Sequence, residues 1–156
     1  MYQQDRAALI LIRGLPGAGK STLAQHLSLE LGCQHFEADM FFIDEQGRYT
    51  FDVNQLLDAH GWCQRVTRDA LSRGECVIVS NTFVQKWEIE PYVKMAKQCG
   101  KKIEIIEVNG GFNSIHDVPE TTIMAMERKW YSIPKRWKHF VKHTFYTHEQ
   151  TDVRTK

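Results

Sequence analysis

A glycine-rich loop near the start of the chain limits the folds open to it more than any other feature. The continuous apolar run over residues 7–12 is typical of a strand buried on both faces, and the loop over residues 14–21 follows it at once. Apolar residues then repeat at helical spacing from Ser21 to Leu31. The loop reads Gly-x-x-x-x-Gly-Lys-Ser without a mismatch. A strand, this loop and a helix, in that order, predict a phosphate-binding loop in an α/β fold.

The residue types in the loop are those that phosphate binding requires. Glycine has no Cβ, so the chain can turn tightly and direct successive N–H groups at phosphate oxygens, and the helix that follows adds its positive N-terminal end. We predict that Lys20 neutralises charge between the β- and γ-phosphates of a triphosphate and that the Ser21 hydroxyl binds Mg²⁺. The predicted nucleotide contacts are Gly14, Leu15, Pro16, Gly17, Ala18, Gly19, Lys20, Ser21 and Thr22. ATP with Mg²⁺ is therefore the expected ligand.

The rest of the chain alternates short apolar segments with longer amphipathic ones, which is the pattern of βαβ units and a parallel sheet. Further strands are predicted at residues 35–37, 76–79 and 102–108. Two helices are predicted at residues 21–31 and 52–73. A third is predicted to have Pro91 in its first turn and to end at Gly100, and a fourth is predicted to follow Pro119 and to end at about Tyr131. The predicted fold is a three-layer α/β/α P-loop NTPase domain with a mostly parallel sheet of four or five strands.

The length and the charge distribution of the chain predict one domain with a basic C-terminal tail. The chain has 156 residues, and we expect the domain over residues 1–134 and a tail over residues 135–156 that belongs to the same domain or is an appended helix. The tail has six Lys or Arg against two Asp or Glu, although the net charge of the whole chain is +1. Basic and aromatic residues alternate in it, as in surfaces that bind nucleic acid. A solvated final helix with one apolar stripe is the favoured alternative.

The remaining chemistry-bearing residues predict no metal cluster and no membrane partner. The four cysteines contain no C-x-x-C pair and are predicted to be reduced and mostly buried, as in a cytoplasmic protein. No apolar run approaches the roughly 20 residues that span a bilayer. His139 and His143 have a spacing that can hold zinc on a helix, but no third ligand is identifiable. The four tryptophans are expected to pack in the core rather than stack on bases.

Asp39 is the candidate catalytic base. It follows the second predicted strand, and the carboxyl ends of parallel strands lie on the same edge as the phosphate loop. A carboxylate there can accept the proton of an attacking hydroxyl. From spacing alone, a solvated loop aspartate or a helix cap is an equal alternative.

Several blocks of the sequence belong together. They are residues 14–24, 38–42, 58–62, 80–82, 87–88 and 116–119. Together they resemble the P-loop kinases related to the kinase domain of phage polynucleotide kinase, and above all the P-loop domain of the NEDD-four-binding-protein-two-like group. The resemblance runs from about residue 9 to about residue 130 and implies that Asp39 is the catalytic base.

The resemblance implies roles for further residues. His60 and Thr82 are expected to contact the substrate on the acceptor side of the cleft. Asn81 is expected at the end of the third strand beside the phosphate loop, where it would bind the metal together with Ser21. Residues 110–119 match a lid over the nucleotide.

The sequence departs from this family pattern at three places. Asn81 stands where an acidic residue is usual, and Asn113 and Ser114 occupy the stretch in which the lid of the family carries an arginine. Phe42 stands where polynucleotide kinase has an arginine that grips the phosphate of its acceptor. The departures put the rate of turnover and a nucleic-acid acceptor in question.

Three hypotheses follow. We predict an ATP-dependent kinase that moves the γ-phosphate to an acceptor hydroxyl, with a polynucleotide 5′ end or a small metabolite as the acceptor. The alternative is a catalytically weakened ATPase or nucleotide-binding regulatory module. The third is a nucleic-acid-binding protein that acts through residues 135–156.

Overall fold

The computed structural model describes residues 7–109 and 118–147. Most of the predicted lid over residues 110–119, with Asn113 and Ser114, lies outside the described residues, as does the tail after Thr147.

A five-stranded sheet forms the centre of the molecule. Its strands are β1 Leu9–Arg13, β2 Gln34–Phe36, β3 Val77–Asn81, β4 Ile103–Asn109 and β5 Val141–Thr147. Their order across the sheet is β2-β3-β1-β4-β5, and all neighbouring strands are parallel. The predicted three-layer α/β/α class is confirmed, with five strands.

The helices connect these strands. Within the described residues they are α1 Lys20–Leu31, α2 Leu56–Ser72, α3 Lys86–Gln98 and α4 Glu120–Arg128. Short 3₁₀ turns occur at Ala38–Phe42, Val53–Gln55 and Lys135–His139. Within the described ranges, no helix is long and apolar enough to cross a membrane.

Two apolar cores lie on the two faces of the sheet. Successive strand residues point to opposite faces, so Leu9 and Leu11 of β1 pack in the core beneath α2 and α3, whereas Ile10 and Ile12 pack in the core beneath α1. All of β1 is buried, which explains the continuous apolar run over residues 9–12. This arrangement places the loop between β1 and α1 at the middle of the carboxyl edge of the sheet.

Two predicted helix starts are wrong. The segment expected to begin at Asp52 first forms a 3₁₀ turn, in which the Asp52 carboxylate accepts the Asn54 N–H at 3.0 Å, and α2 begins only at Leu56. Pro91 lies inside α3 rather than in its first turn. The helix begins earlier because Glu88 accepts the Gln85 N–H at 2.9 Å, a cap that the sequence reading missed.

The tail also differs from the favoured prediction. Residues 141–147 form β5 rather than a helix, in register with β4 from Ile103 opposite Val141 to Asn109 opposite Thr147. This segment is rich in Val, Thr, Phe and Tyr, which favour strands. Because His139 ends a 3₁₀ turn and His143 lies on β5, the two histidines do not share a helix face. The domain boundary at residue 134 and a nucleic-acid role of the tail stay predictions.

The cysteines are not all reduced. Cys33 and Cys76 form a disulfide with their Cα atoms 4.8 Å apart, whereas Cys63 and Cys99 are free. The two paired residues are 43 positions apart in the chain. Cys33 immediately precedes β2 and Cys76 immediately precedes β3, and these two strands are neighbours in the sheet. Pairing of parallel strands therefore brought together two residues whose proximity the sequence did not show.

Candidate active site

The loop between β1 and α1 adopts the conformation that its glycines were predicted to allow. Gly17 and Gly19 have φ angles of 83° and 91°, in the left-handed region that disfavours residues with a Cβ. Gly14 is needed for a different reason, because a Cβ there would lie 2.9 Å from the carbonyl oxygen of Val108. The Ala18 N–H donates to the Leu15 carbonyl at 3.1 Å and closes the turn.

Lys20 is the first residue of α1, and its ammonium group lies over the loop. Its Nζ donates to the Leu15 carbonyl at 3.1 Å. Burial lowers the pKa of Lys20 to about 8, although the nearby charges of Glu37 and Asp39 act in the opposite direction. Two carboxylates from the end of β2 therefore lie close enough to Lys20 to affect its ionisation.

Glu37 is a site residue that the sequence reading missed. Its Oε1 accepts hydrogen bonds from Ser21 Oγ at 2.5 Å and Ser80 Oγ at 3.0 Å, and His35 Nε2 lies 3.3 Å away. Burial opposes ionisation, but the hydrogen bonds from His35, Ser21 and Ser80 outweigh it and lower the pKa of Glu37. The available signal was the spacing Glu-x-Asp, which puts a second carboxylate at the strand end that carries Asp39.

Asp39 lies in the 3₁₀ turn that follows β2. Tyr49 donates its hydroxyl hydrogen to Asp39 Oδ1 at 3.3 Å, and the Asp39 charge helps to raise the pKa of Tyr49, after the larger effect of burial. The structure thus brings Asp39 to the same edge as Lys20, as predicted from its position after the second strand. Its catalytic role stays a prediction.

Asn81 fixes the position of this turn. Its Oδ1 accepts the Ala38 N–H at 2.9 Å, and its Nδ2 lies 4.0 Å from Cys63 Sγ. The amide oxygen proposed as a metal ligand is thus already engaged with the backbone beside Asp39. Thr82, the next residue, is half-buried.

His60 lies on α2, half-buried, on the β2 and β3 side of the edge. Its ring packs edge-to-face on Trp87 with a centroid distance of 5.4 Å. Burial lowers the pKa of His60, and the charges of Glu88 and Asp39 oppose this effect. The charge of the candidate base therefore reaches His60, whose acceptor-side role stays a prediction.

Arg13, the residue before Gly14, is a second feature that the sequence reading missed. It is fully buried, and its guanidinium donates to the carbonyls of Phe83 (3.0 and 2.7 Å), Val84 (3.3 Å) and Tyr131 (2.8 Å). It also forms an ion pair with Glu107 at 3.5 Å. Phe83 has a φ of 49°, uncommon for a residue with a side chain, at the carbonyl that Arg13 binds twice. An Arg inside an apolar strand gave only a weak signal of this network.

A cavity of about 490 Å³ opens on the other side of the phosphate loop. Its lining residues are Gly14, Leu15, Ala18, Val108, Asn109, Glu127 and Trp130. Trp130 donates its indole N–H to Glu107 at 3.1 Å, and the Arg13 guanidinium carbon lies 3.8 Å from the centre of its ring. The expectation that every tryptophan packs in the core is therefore wrong for Trp130, which is half-exposed at this cavity, and for the exposed Trp87.

Fold and loop together define the class as a kinase-like P-loop NTPase. A sugar kinase from Janibacter sp. HTCC2649 superposes with a TM-score of 0.65 and 12% identity, over 96% of this chain and 92% of that chain. Chaetomium thermophilum Kti12, solved with ADP-AlF3, superposes with a TM-score of 0.65 and 16% identity, over 86% of this chain and 87% of that chain. At such identities these likenesses establish the fold.

The sequence comparisons give the family. A family model described as an AAA domain matches residues 9–110, more than half of the chain, so the chain belongs to that family. Human NEDD4-binding protein 2 is 39% identical over 98 residues, which is 61% of this chain and 5% of the human protein. The predicted resemblance to this kinase-like group is confirmed.

Proposed function

We propose that this chain is an ATP-dependent phosphotransferase in which Lys20 and Ser21 hold the triphosphate and Asp39 activates an acceptor hydroxyl. The observation that carries the proposal is the geometry of the carboxyl edge, where Ser21 of the phosphate loop donates to Glu37 at 2.5 Å and Asp39 lies in the turn that follows Glu37. A phosphate loop alone supports nucleotide binding. A carboxylate at the same edge of the sheet as the lysine of the loop supports transfer.

The loop supplies the phosphate site. Its backbone N–H groups and the N-terminus of α1 favour an anion, and Lys20 Nζ exchanges the Leu15 carbonyl for phosphate oxygens when ATP binds. Residues Gly14 to Thr22 are the proposed contact surface. Positive charge is concentrated where the γ-phosphate gains negative charge during transfer.

The residues beside the loop fit Mg²⁺. This ion prefers oxygen ligands and is usually bound through one or two protein groups together with substrate phosphates. Ser21 Oγ and the Glu37 carboxylate lie together, and among the described residues Glu37 Oε2 has no hydrogen-bond partner. We assign Ser21 and Glu37 to this role and Asn81 to positioning the turn. When bound, Mg²⁺ neutralises charge on the β- and γ-phosphates.

Asp39 is the proposed base. The acceptor oxygen forms a bond to the γ-phosphorus, the bond from that phosphorus to the ADP oxygen breaks, and the acceptor proton passes to the Asp39 carboxylate and then to solvent. Tyr49 holds one oxygen of Asp39 and leaves the other for the acceptor. His60 and Thr82 are the proposed acceptor-side contacts.

Charge around Asp39 favours a small acceptor over a polynucleotide end. Residues 37–58 contain six acidic side chains and one basic side chain, Arg48, which is paired with Asp44. Such a surface repels the phosphates of a polynucleotide. Tyr49 and Phe51, about half exposed, both contact Phe42 and offer apolar surface beside the base. We therefore favour a hydroxyl compound without phosphate.

The test compares Asp39→Asn with the matched control Asp52→Asn, which keeps a side chain able to accept the Asn54 N–H. Radiolabelled ATP is offered with nucleosides, sugars, amino alcohols and a 5′-hydroxyl oligonucleotide. We expect Asp39→Asn to lower transfer by about 10²–10⁴-fold with ATP affinity retained, and Asp52→Asn to leave transfer intact. Undiminished transfer by Asp39→Asn would show that it is not the base.

A second candidate is a nucleotide-binding module with weak ATPase activity. The observation that favours it is the state of Arg13, the arginine beside the phosphate loop, whose guanidinium is buried and bound to carbonyls rather than directed at phosphate. An arginine contact to the transferring phosphate is worth about 10³–10⁵ in rate. Robust transfer to a defined acceptor would exclude this candidate.

A further inference from the structure

We propose that the outer edge of β5 is a docking site for an extended, acidic peptide segment of a partner protein, which pairs with β5 as a sixth strand. This surface lies at the opposite end of the strand order from β2, which Asp39 follows. The proposal is therefore independent of phosphate transfer.

The outer edge of β5 is available for pairing. β5 is the last strand in the order β2-β3-β1-β4-β5, and within the described residues no strand pairs with its outer side. It has seven residues, whereas β2 at the other edge of the sheet has three. Backbone N–H and C=O groups along a long edge are a template for another strand. An extended peptide that joins the sheet forms hydrogen bonds with such groups.

The charge of this part of the chain selects the partner. Residues 133–147, here called the basic edge, contain four Lys or Arg and no Asp or Glu. Lys135, Lys138 and Lys142 are all exposed, and Lys142 lies on β5 itself. Two copies of the basic edge would repel each other, because like charges would meet along the new ladder. An acidic segment is attracted instead, so the same lysines oppose self-pairing and define the partner.

A cavity of about 250 Å³ lies at the start of β5. Its lining combines apolar surface from Ile133, Pro134 and Val141 with two of the lysines of the basic edge. The volume is below the range of about 300–1,000 Å³ that is typical of small-molecule sites, and it suits an apolar side chain of a peptide. Phe145 lies on the same face of β5 as Val141 and is 65% exposed, so it extends the apolar surface along the strand.

The aromatic residues of the basic edge favour a peptide over a nucleic acid. Trp137 is 7% exposed, and its ring packs against those of Tyr131 and Phe140 at centroid distances of 6.0 and 5.9 Å. The Lys97 ammonium group lies 3.6 Å from the centre of the Phe140 ring. Single strands bind through aromatic faces that are open to successive bases. Among the described Trp, Phe and Tyr side chains of the basic edge, only Phe145 is exposed.

The test measures binding of a fluorescein-labelled peptide of the length of β5, in which valine alternates with glutamate, by fluorescence anisotropy. A matched peptide carries lysine in place of glutamate, and oligothymidylate is the nucleic-acid probe. Two further versions of the acidic peptide carry N-methyl groups on the backbone nitrogens of either the odd or the even positions. Because consecutive N–H groups of a strand point to opposite edges, each methylated version loses its donors on one edge only.

We expect the acidic peptide to bind and the lysine peptide to bind at least about tenfold more weakly. One methylated version should lose about tenfold or more, the effect of several missing hydrogen bonds, and the other should bind as the unmethylated peptide does. The double variant Lys138→Glu with Lys142→Glu should weaken the acidic peptide at least about fivefold and leave ATP binding unchanged. The control Arg65→Glu, at an exposed residue of α2, should bind as the native chain does.

Equal binding of the two methylated versions would overturn the proposal, because docking by charge alone does not depend on which edge of the peptide carries N–H groups. No binding of the acidic peptide at millimolar concentration would also overturn it. Tighter binding of oligothymidylate than of the acidic peptide would assign the basic edge to nucleic acid instead. A chain that forms dimers and loses peptide binding as they form would assign it to a second copy. Failure of phosphate transfer would leave the proposal intact.

Discussion

The two halves of the carboxyl edge, on either side of the phosphate loop, are built from different chemistry. On the β2 and β3 side, Glu37 and Asp39 are partly accessible carboxylates next to Lys20. On the β4 and β5 side, Glu107 is buried and satisfied by Arg13, Trp130 and His143. An accessible carboxylate can exchange protons or hold a cation, whereas a fully paired one can only fix its partners. The first half is suited to chemistry and the second to recognition.

Arg13 and Gly14 stand at the boundary between the halves. Arg13 binds carbonyls of Phe83 and Val84 after β3 and also contacts Glu107 and Trp130 on the other side. Gly14 lets the phosphate loop pass next to Val108 at the end of β4. If the comparison is correct, changes at the boundary affect both halves, and changes within one half leave the other intact.

The largest expected effect is on stability. Arg13→Met removes a buried charged side chain that makes four hydrogen bonds, and it removes the ion pair between Arg13 and Glu107. We expect the free energy of unfolding to fall by about 3–5 kcal/mol, measured by urea denaturation. Arg73→Met, which alters only an exposed pair with Glu75, is the control and should leave the midpoint unchanged. An equally small effect at Arg13 would mean that the network does not join the halves.

Gly14→Ala tests the boundary sterically. The added Cβ would lie 2.9 Å from the Val108 carbonyl oxygen, so either the loop or β4 must move. We expect a loss of about 1–3 kcal/mol in stability and weaker binding of ATP and tripolyphosphate alike. Gly61→Ala is the opposite control, because no atom lies within 4 Å of the new Cβ inside α2, and it should stabilise by about 0.5–1 kcal/mol.

Glu37→Gln tests the chemical half alone. It keeps the shape and removes the charge that lies beside Ser21. We expect the gain in ATP affinity that Mg²⁺ or Mn²⁺ provides to shrink by roughly 10- to 100-fold, with metal-free ATP binding nearly unchanged. Calorimetry with and without metal measures the gain. The control is Glu45→Gln, another acidic residue of the segment over residues 37–58. A full metal effect in Glu37→Gln would contradict the assignment.

The smallest expected effect is a pH dependence. Because the pKa of Lys20 is lowered to about 8, the free protein begins to lose this proton near that pH rather than near 10.5. Phosphate binding favours the protonated form, so ATP affinity should fall by up to about tenfold per pH unit above pH 8. Calorimetry from pH 7 to 9.5 checks this. Lys20→Ala should bind ATP weakly, with a flat profile over the same range.

Local pattern was sufficient for much of the fold and for the centre of the site. The apolar run of β1, the glycines of the loop and the spacing in α1 depend on neighbours in sequence, so they were predictable. The strand Val141–Thr147 was mistaken for a helix because its place in the sheet depends on its pairing with β4, whose residues lie 38 positions earlier in the chain. The start of α3 was misplaced because Gln85 is an unusual capping residue.

The sequence by itself determined that a triphosphate loop exists, that it opens a parallel α/β sheet, and that Asp39 lies on the same edge. These three features follow from residue type and spacing within a single βαβ unit. Only the tertiary structure decided that Glu37 lies beside Ser21, that Cys33 and Cys76 pair, and that Arg13, Glu107, Trp130 and His143 form one network. Each of those contacts joins residues far apart in the chain, and its formation depends on strand order and register, which no local pattern records.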